Sequence, residues 1–161
     1  FGYACRFTEH CFFAATCRFG ARCTFGADCR FGYACRFTEH CFFDMGCIFG
    51  ADCDFAEHCF FDTGCDFGAR CRFEPACSFE GHVADTGYPF LSIAGAGDYS
   101  RTTYFFNTVN GIYVRSGCFI GTLAEFRAKV RADDSNNGVK AKQYLGFANI
   151  AVITFNKGEL E

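Results

Sequence analysis

The chain has 161 residues, enough for one ordinary domain or for a repeat array with a small companion. Its formal net charge is −3, with about −4 on residues 1–84 and about +1 on the remainder, so binding of nucleic acid through a basic surface is not expected. No apolar run approaches the roughly 20 residues of a membrane-spanning helix, so membrane insertion is not expected either.

Residues 1–84 are built from a six-residue unit. Phenylalanine recurs at every sixth position from Phe1 to Phe79, and cysteine stands four positions after it from Cys5 to Cys77, until Val83 takes the cysteine position. In an extended strand, a cysteine and the phenylalanine two residues later point to the same side. Both are therefore predicted to face inward and the residue between them to face solvent.

Three such sides would close a triangular coil of 18 residues. Residues 37–54 and 55–72 are identical at thirteen of eighteen positions, as stacked coils should be. The predicted fold is an all-β solenoid, a triangular parallel β-helix, in which glycine or alanine after phenylalanine allows each corner to turn. Its predicted core ladders contain Phe19, Cys23, Phe37, Cys41, Phe55, Cys59, Phe73 and Cys77.

Thirteen of the fourteen cysteines lie in this array, which leaves three interpretations. A disulfide framework needs directed Cβ vectors, whereas in-register cysteines on parallel coils present parallel ones. The geometry favours reduced thiols that act as small buried hydrophobes, with some disulfides or bound metal as the alternatives. Reduced thiols favour assembly in the cytoplasm, and a virion or cell-surface location is the alternative.

A doubled pattern on the outer surface is the main candidate site of the array. Coils of 18 residues stack His40 on His58 and Phe42 on Phe60. The two histidines offer only two metal ligands, so no metal is predicted, and we interpret the pattern as a surface ladder or a side contact. The block at residues 1–13 recurs at 31–43, an offset that is not a multiple of 18, so its two copies should lie on different sides.

The six-residue unit resembles the left-handed β-helix hexapeptide repeat. In that family an aliphatic residue is followed by Gly, Ala, Glu or Asp, two variable residues, a small residue and one more variable residue. Residues 19–24 and 25–30 fit this register, with phenylalanine in place of the aliphatic residue and cysteine in place of the small one. The resemblance implies a left-handed coil, and enzymes of this type that use histidines from neighbouring coils imply a trimeric transferase or hydratase as an alternative function.

From about Asp85 the six-residue period disappears, and residues 85–161 are predicted to form a small α+β domain. Asn110-Gly111 is a strong hairpin signal, and Thr122 with Glu125 forms a capping box at the start of a helix. In a second helix, Tyr144, Phe147 and Ile150 are spaced for one buried face. The predicted elements are strands at 88–94, 102–109 and 112–115, a turn at 95–98, helices at 123–133 and 140–152, and a loop at 134–138.

Two further features of this module bear on function. Gly117-Cys118-Phe119 with the capped helix loosely resembles tail modules of uncharacterised bacterial and phage repeat proteins, which implies no activity. Arg101, Tyr113 and Arg115 are candidates for a ligand patch, although we expect them to be solvated surface residues. We expect no enzyme activity and no cofactor, because no catalytic motif is present.

The predicted function is a structural β-solenoid, a segment of a self-assembling fibre, filament, spike or rigid stalk. Its partner would be the chain itself, as a homo-oligomer or head-to-tail filament, with the C-terminal module as a cap or subunit contact. An end coil offers free strand edges around a ring of phenylalanine, so Phe1 and Phe7 are candidate assembly residues, together with Phe42 and Phe60. A surface or virion adhesin with its specificity in residues 85–161 is a further alternative.

Overall fold

The computed structural model describes residues 1–74, 76–85, 90–96, 101–133 and 138–158, without the side chains of Ala96 and Arg101. The chain divides into two compact units, Phe1–Thr86 and Gly87–Glu161. No helix in the described part of the chain is long and apolar enough to cross a membrane.

The first unit is a parallel β-solenoid with three strands per coil. Each strand up to Phe60–Phe61 pairs with the strand 18 residues later, as Arg6 with Thr24 and Phe7 with Phe25. The predicted solenoid of 18-residue coils is thus confirmed, with about four turns. Its strands are β1 Arg6–Phe7, β2 Phe12–Phe13, β3 Arg18–Phe19, β4 Thr24–Phe25, β5 Arg30–Phe31, β6 Arg36–Phe37, β7 Phe42–Phe43, β8 Ile48–Phe49, β9 Asp54–Phe55, β10 Phe60–Phe61, β11 Asp66–Phe67, β12 Arg72–Phe73 and β13 Ser78–Phe79.

These strands form three sheets, which we name by face. Face A contains β1, β4, β7, β10 and β13; face B contains β2, β5, β8 and β11; face C contains β3, β6, β9 and β12. A final strand, β14 (His82–Val83), turns back and pairs antiparallel with β13 on face A. The expectation that Val83 continues the inward cysteine position is therefore wrong: after the turn at Glu80 and Gly81 the side chain is 43% exposed.

The solenoid core is a stack of phenylalanine rings. Rings 18 residues apart lie nearly parallel, with centroids 4.8–5.3 Å apart. Rings six residues apart meet edge to face, as Phe37 and Phe43 do at 4.9 Å. Burying each ring contributes about 1.5–3 kcal/mol, and each aromatic pair adds about 0.5–1.5 kcal/mol. All eight predicted core residues lie in this interior, and their side chains are 0–9% exposed: Phe19, Cys23, Phe37, Cys41, Phe55, Cys59, Phe73 and Cys77.

The corners turn at a different residue from the one expected. The fourth residue of the unit has a positive φ at corner after corner, for example 60° at Arg22 and 54° at Ala34, and glycine fills that position at Gly46 and Gly64. Glycine directly after phenylalanine serves the contact between coils, because a Cβ on Gly50 would lie 2.7 Å from the backbone carbonyl carbon of Gly32. The prediction that this glycine permits the turn is wrong.

The second unit is an antiparallel sheet with two helices, so the α+β prediction is confirmed. Its core contains Phe105, Val114 and Phe126. The sheet has four described strands rather than the predicted three. The elements are β15 Phe90–Ala96, β16 Arg101–Thr108, β17 Gly111–Ser116, β18 Phe119–Thr122, α1 Leu123–Ala132 and α2 Gly138–Phe155.

The helix start in this unit follows the sequence signal. The Thr122 hydroxyl accepts a hydrogen bond from the Glu125 N–H at 3.3 Å, and a Glu125 carboxylate oxygen accepts from the Thr122 N–H at 2.8 Å, so the predicted capping box is confirmed. Thr108 pairs with Gly111, which places the hairpin turn at 109–110, one residue before the predicted position. Gly111 has the positive φ, 115°.

The second helix is longer than predicted, and Tyr144 and Phe147 pack against the core as expected, although both are only partly buried. Ile150, expected to be buried, is 47% exposed, whereas Ala148, Ala151, Val152 and Phe155 are buried. Small alanine side chains let the helix backbone approach the core, so here packing outweighs the spacing of large apolar residues. Gly95 lies within β15 rather than in a turn. Predictions for 88–89, 97–98 and 134–137 fall outside the described residues.

Candidate functional site

The thirteen solenoid cysteines form three inward columns of free thiols. From Cys23 to Cys77, each Sγ lies 3.3–3.5 Å from the carbonyl oxygen of the residue 21 positions earlier, as Cys29 does with Thr8, and the thiol donates to it. That oxygen belongs to the second residue of a unit in the preceding coil. A thiol is both a small hydrophobe and a weak donor, so cysteine fills the space and caps the carbonyl.

The protonation of these thiols follows from their surroundings. Burial raises the pKa of Cys29 and of Cys35 from 9.0 to about 11. Hydrogen bonds with Cys41 and Cys77, together with burial, raise the pKa of Cys59. Because thiolates are the nucleophiles and metal ligands, the raised pKa values of Cys29, Cys35 and Cys59 suit these three thiols to packing at neutral pH. The described residues contain no group of three or more His, Cys, Asp or Glu side chains arranged to hold a metal ion.

The histidine pair sits at the turning position of its corner. His40 and His58 both have φ of 58°, and their exposed rings stack with centroids 4.9 Å apart. The His40 backbone N–H donates to the Glu57 carbonyl at 3.1 Å. Histidine is among the residues enriched in this left-handed conformation. The arrangement therefore explains the two histidines as corner residues, and it brings together two imidazoles.

The four candidate assembly residues lie at two places. Phe42 and Phe60 stack at 5.0 Å on face A, where Phe42 is 36% exposed. Phe1 and Phe7 belong to the first coil, where they stack on Phe19 at 4.8 Å and on Phe25 at 5.0 Å. Exposed Met45 and Ile48 continue the apolar surface from Phe42 around the corner onto face B.

Face C carries a charged column that the sequence analysis did not identify. Its outward residues are Arg18, Arg36, Asp54 and Arg72, each one coil above the last, and we call them the arginine column. Asp54 lies 3.4 Å from Arg36 Nε and 2.7 Å from Arg72 Nε. The column borders a recess of about 280 Å³ with Thr16, Ala34 and Asp52 in its lining. The spacing of 18 between these residues was the signal that could have revealed it.

The corner between faces A and B has the opposite charge. It presents Glu9, Asp28, Asp44 and Asp62, and we call these four residues the acidic corner. The Asp44 carboxylate accepts a hydrogen bond from the Met45 N–H at 2.7 Å, and that of Asp62 accepts from the Thr63 N–H at 2.6 Å. Asp28 lies 3.9 Å from His10. These corner hydrogen bonds fix the positions of the Asp44 and Asp62 carboxylates.

Tyr113 and Arg115, two of the three candidates for a ligand patch in the C-terminal unit, are not fully exposed. Arg115 is only 7% exposed, and its guanidinium lies 4.5 Å from the centroid of the Tyr104 ring, so the expectation that it is a solvated surface residue is wrong. Tyr113 is half-buried, and the Arg101 side chain is outside the described part. The unit also has a recess of about 160 Å³, lined by Ser116, Cys118, Phe119, Phe126, Lys129, Val130, Asp133 and Tyr144.

Comparisons with known proteins supply no relative for this chain. No family model, no curated protein and no solved structure matches it.

Proposed function

We propose that residues 1–84 serve as a structural β-solenoid, a segment of a self-assembling fibre, filament, spike or rigid stalk whose partner is another copy of the chain. The observation that carries this proposal is the uniform core. Phenylalanine fills every ring position from Phe1 to Phe79, and the rings keep a spacing of 4.8–5.3 Å along each column. A core that does not vary along its axis suits a rod that more coils can extend.

The placement of the duplicated block supports the same proposal. The copies at 1–13 and 31–43 put equivalent residues on different faces: Arg6 lies on face A and Arg36 on face C, while Phe12 lies on face B and Phe42 on face A. A binding site needs particular side chains on one face. A spacer needs only the repeated core, which the shift by five units leaves intact.

Two finer points belong to this proposal. The coil is taken to be a left-handed variant of the hexapeptide repeat, supported by the register of residues 19–24 and 25–30. The C-terminal unit is taken to cap the array or to contact a second subunit, since the last coil of a parallel stack presents free backbone groups that favour pairing. The adhesin alternative would instead place a specific ligand on this unit.

Electron microscopy of the purified chain tests the proposal. Negative-stain images at increasing protein concentration should show elongated assemblies of uniform width. Compact trimers would instead favour the transferase or hydratase alternative, and replacing His40 and His58 with alanine would then be expected to abolish trimer formation and metal binding together. A chain that stays monomeric at high concentration would contradict self-assembly.

A further inference from the structure

Charge is distributed unevenly around the solenoid. Face C and the corner between faces B and C have a net charge of +2: their arginines are Arg18, Arg36, Arg70 and Arg72, and their only carboxylates are Asp52 and Asp54. The remaining residues of 1–84 carry a net charge of −6, of which the acidic corner holds −4. A positive stripe on an otherwise negative rod is an arrangement that can attract a complementary stripe.

The arginine column has more positive charge than its own carboxylate neutralises. Arg36 and Arg72 share the single carboxylate of Asp54. Arg18, exposed and one coil below Arg36, forms no ion pair with any described carboxylate. Arg18 and Arg36 thus lie on paired strands about 4.8 Å apart, the first without an ion pair and the second with a shared one, and both would gain from an external pair of carboxylates.

The acidic corner offers a pair of carboxylates at matching spacing. Asp44 and Asp62 are also one coil apart, because β7 and β10 pair in register. Every coil of one copy has the same rise as every coil of another, so two rods lying side by side keep their charged columns in step. A second copy can therefore place Asp44 and Asp62 against Arg18 and Arg36 simultaneously.

We propose that face C of one chain binds the acidic corner of a second copy, with Arg18 and Arg36 facing Asp44 and Asp62 of that copy. This inference rests on the proposed structural function and names its lateral contact. The two surfaces differ, so the contact is heterologous and leaves a free face C and a free acidic corner at the two sides of every pair. Such contacts propagate, and the product is a bundle or sheet of parallel rods.

Sedimentation of the full chain in low and high salt tests the contact. Association should be strong at low ionic strength and should fall in 1 M salt, where the Debye length is about 3 Å. The double variant Arg18→Glu with Arg36→Glu should weaken lateral association about tenfold or more, since it sets like charges against each other. Arg6→Glu with Arg30→Glu changes the net charge equally on faces A and B and should leave the association as in the parent chain.

Charge exchange gives the decisive comparison. Asp44→Lys with Asp62→Lys should also weaken association, and joining these changes with Arg18→Glu and Arg36→Glu in one chain should restore it. Asp44→Asn with Asp62→Asn keeps a side-chain oxygen for the Met45 and Thr63 N–H groups, so it should reduce association while circular dichroism stays unchanged. Equal effects of the two arginine pairs, or no restoration by the exchange, would overturn the contact.

The same variants separate this contact from the proposed function. Elongated rods that remain single in the Arg18→Glu, Arg36→Glu variant, where the parent forms bundles, support the lateral contact. Bundles that persist in this variant overturn the contact and leave the structural function standing. A parent chain that forms compact trimers or remains a monomer overturns both.

Discussion

In the solenoid every buried ring meets equivalent neighbours, whereas in the C-terminal unit each buried ring has its own. Phe43 stacks on Phe25 and Phe61 at 4.9 and 5.0 Å, and the same arrangement recurs along all three columns. In the second unit Phe126 meets Phe105 at 6.1 Å and 89°, but meets Phe119 at 5.4 Å and 52°. The role of a solenoid residue therefore follows from its place in the six-residue unit, and that of a residue in the second unit from its neighbours in space.

The difference extends to hydrogen bonding and to cysteine. In the solenoid, cysteine thiols donate hydrogen bonds to backbone carbonyl oxygens of the preceding coil, with Sγ–O distances of 3.3–3.5 Å. The second unit contains one cysteine, Cys118, which is exposed. In that unit a hairpin joins strands β16 and β17, and a capping box provides hydrogen bonds at the start of helix α1. The two units should consequently respond differently to the same perturbation.

The two units are expected to differ most in their stability at alkaline pH. Cys29 and Cys35 have their pKa raised from 9.0 to about 11, so their contribution to stability is complete below pH 9 and is lost as the pH rises through about 11. The solenoid should unfold across this range while the second unit persists.

Circular dichroism and thiolate absorbance would follow the solenoid, and resolved NMR signals of α1 and α2 would follow the second unit. Between pH 7 and 9 neither set of signals should change. Thiols that ionise near pH 9 while the solenoid stays folded would show that burial does not raise their pKa.

The next effect comes from removing one buried ring. Phe43→Ala and Phe105→Ala each remove a ring that is 0% exposed, and each should cost about 3–5 kcal/mol. In a stack of nearest-neighbour coils the damage should stay local, so amide protection should be lost mainly around β7. In the second unit, Phe105→Ala should reduce amide protection across the sheet and both helices.

Native-state hydrogen exchange would measure this pattern. Phe42→Ala is the matched control, because its ring lies next in sequence but points outward and is 36% exposed, so the stability change should be much smaller. Uniform loss of protection throughout the solenoid in Phe43→Ala would argue against coils that respond independently.

The smallest effect concerns a corner. Ala34 has φ of 54°, a conformation that costs a residue with a Cβ about 1–2 kcal/mol, so Ala34→Gly should stabilise the solenoid by about 0.5–1 kcal/mol after the entropy of glycine is subtracted. Ala51→Gly is the control, since Ala51 is in the same corner without a positive φ, and it should be neutral or destabilising. Urea unfolding measures both, and a loss of stability in Ala34→Gly would contradict the corner assignment.

The sequence alone determined most of the solenoid. The period of six, the inward cysteine and phenylalanine, and the coil of 18 all followed from alternation along a strand and from the match between residues 37–54 and 55–72. These features are local and repeat, so one unit defines the others. The capping box at Thr122 and Glu125 was predictable for the same reason, because its two hydrogen bonds join residues three apart.

Only the tertiary structure decided the features that join distant residues. The hydrogen bonds from thiols to carbonyl oxygens join residues 21 positions apart in the sequence and connect neighbouring coils. The ion pairs of Asp54 with Arg36 and Arg72 join three coils. The burial of Arg115 against Tyr104 and the alanine face of α2 depend on how close the packed elements approach. Periodicity specifies which way a side chain points along its own strand or helix. It does not specify what that side chain meets, because the partner is set by stacking and packing in three dimensions.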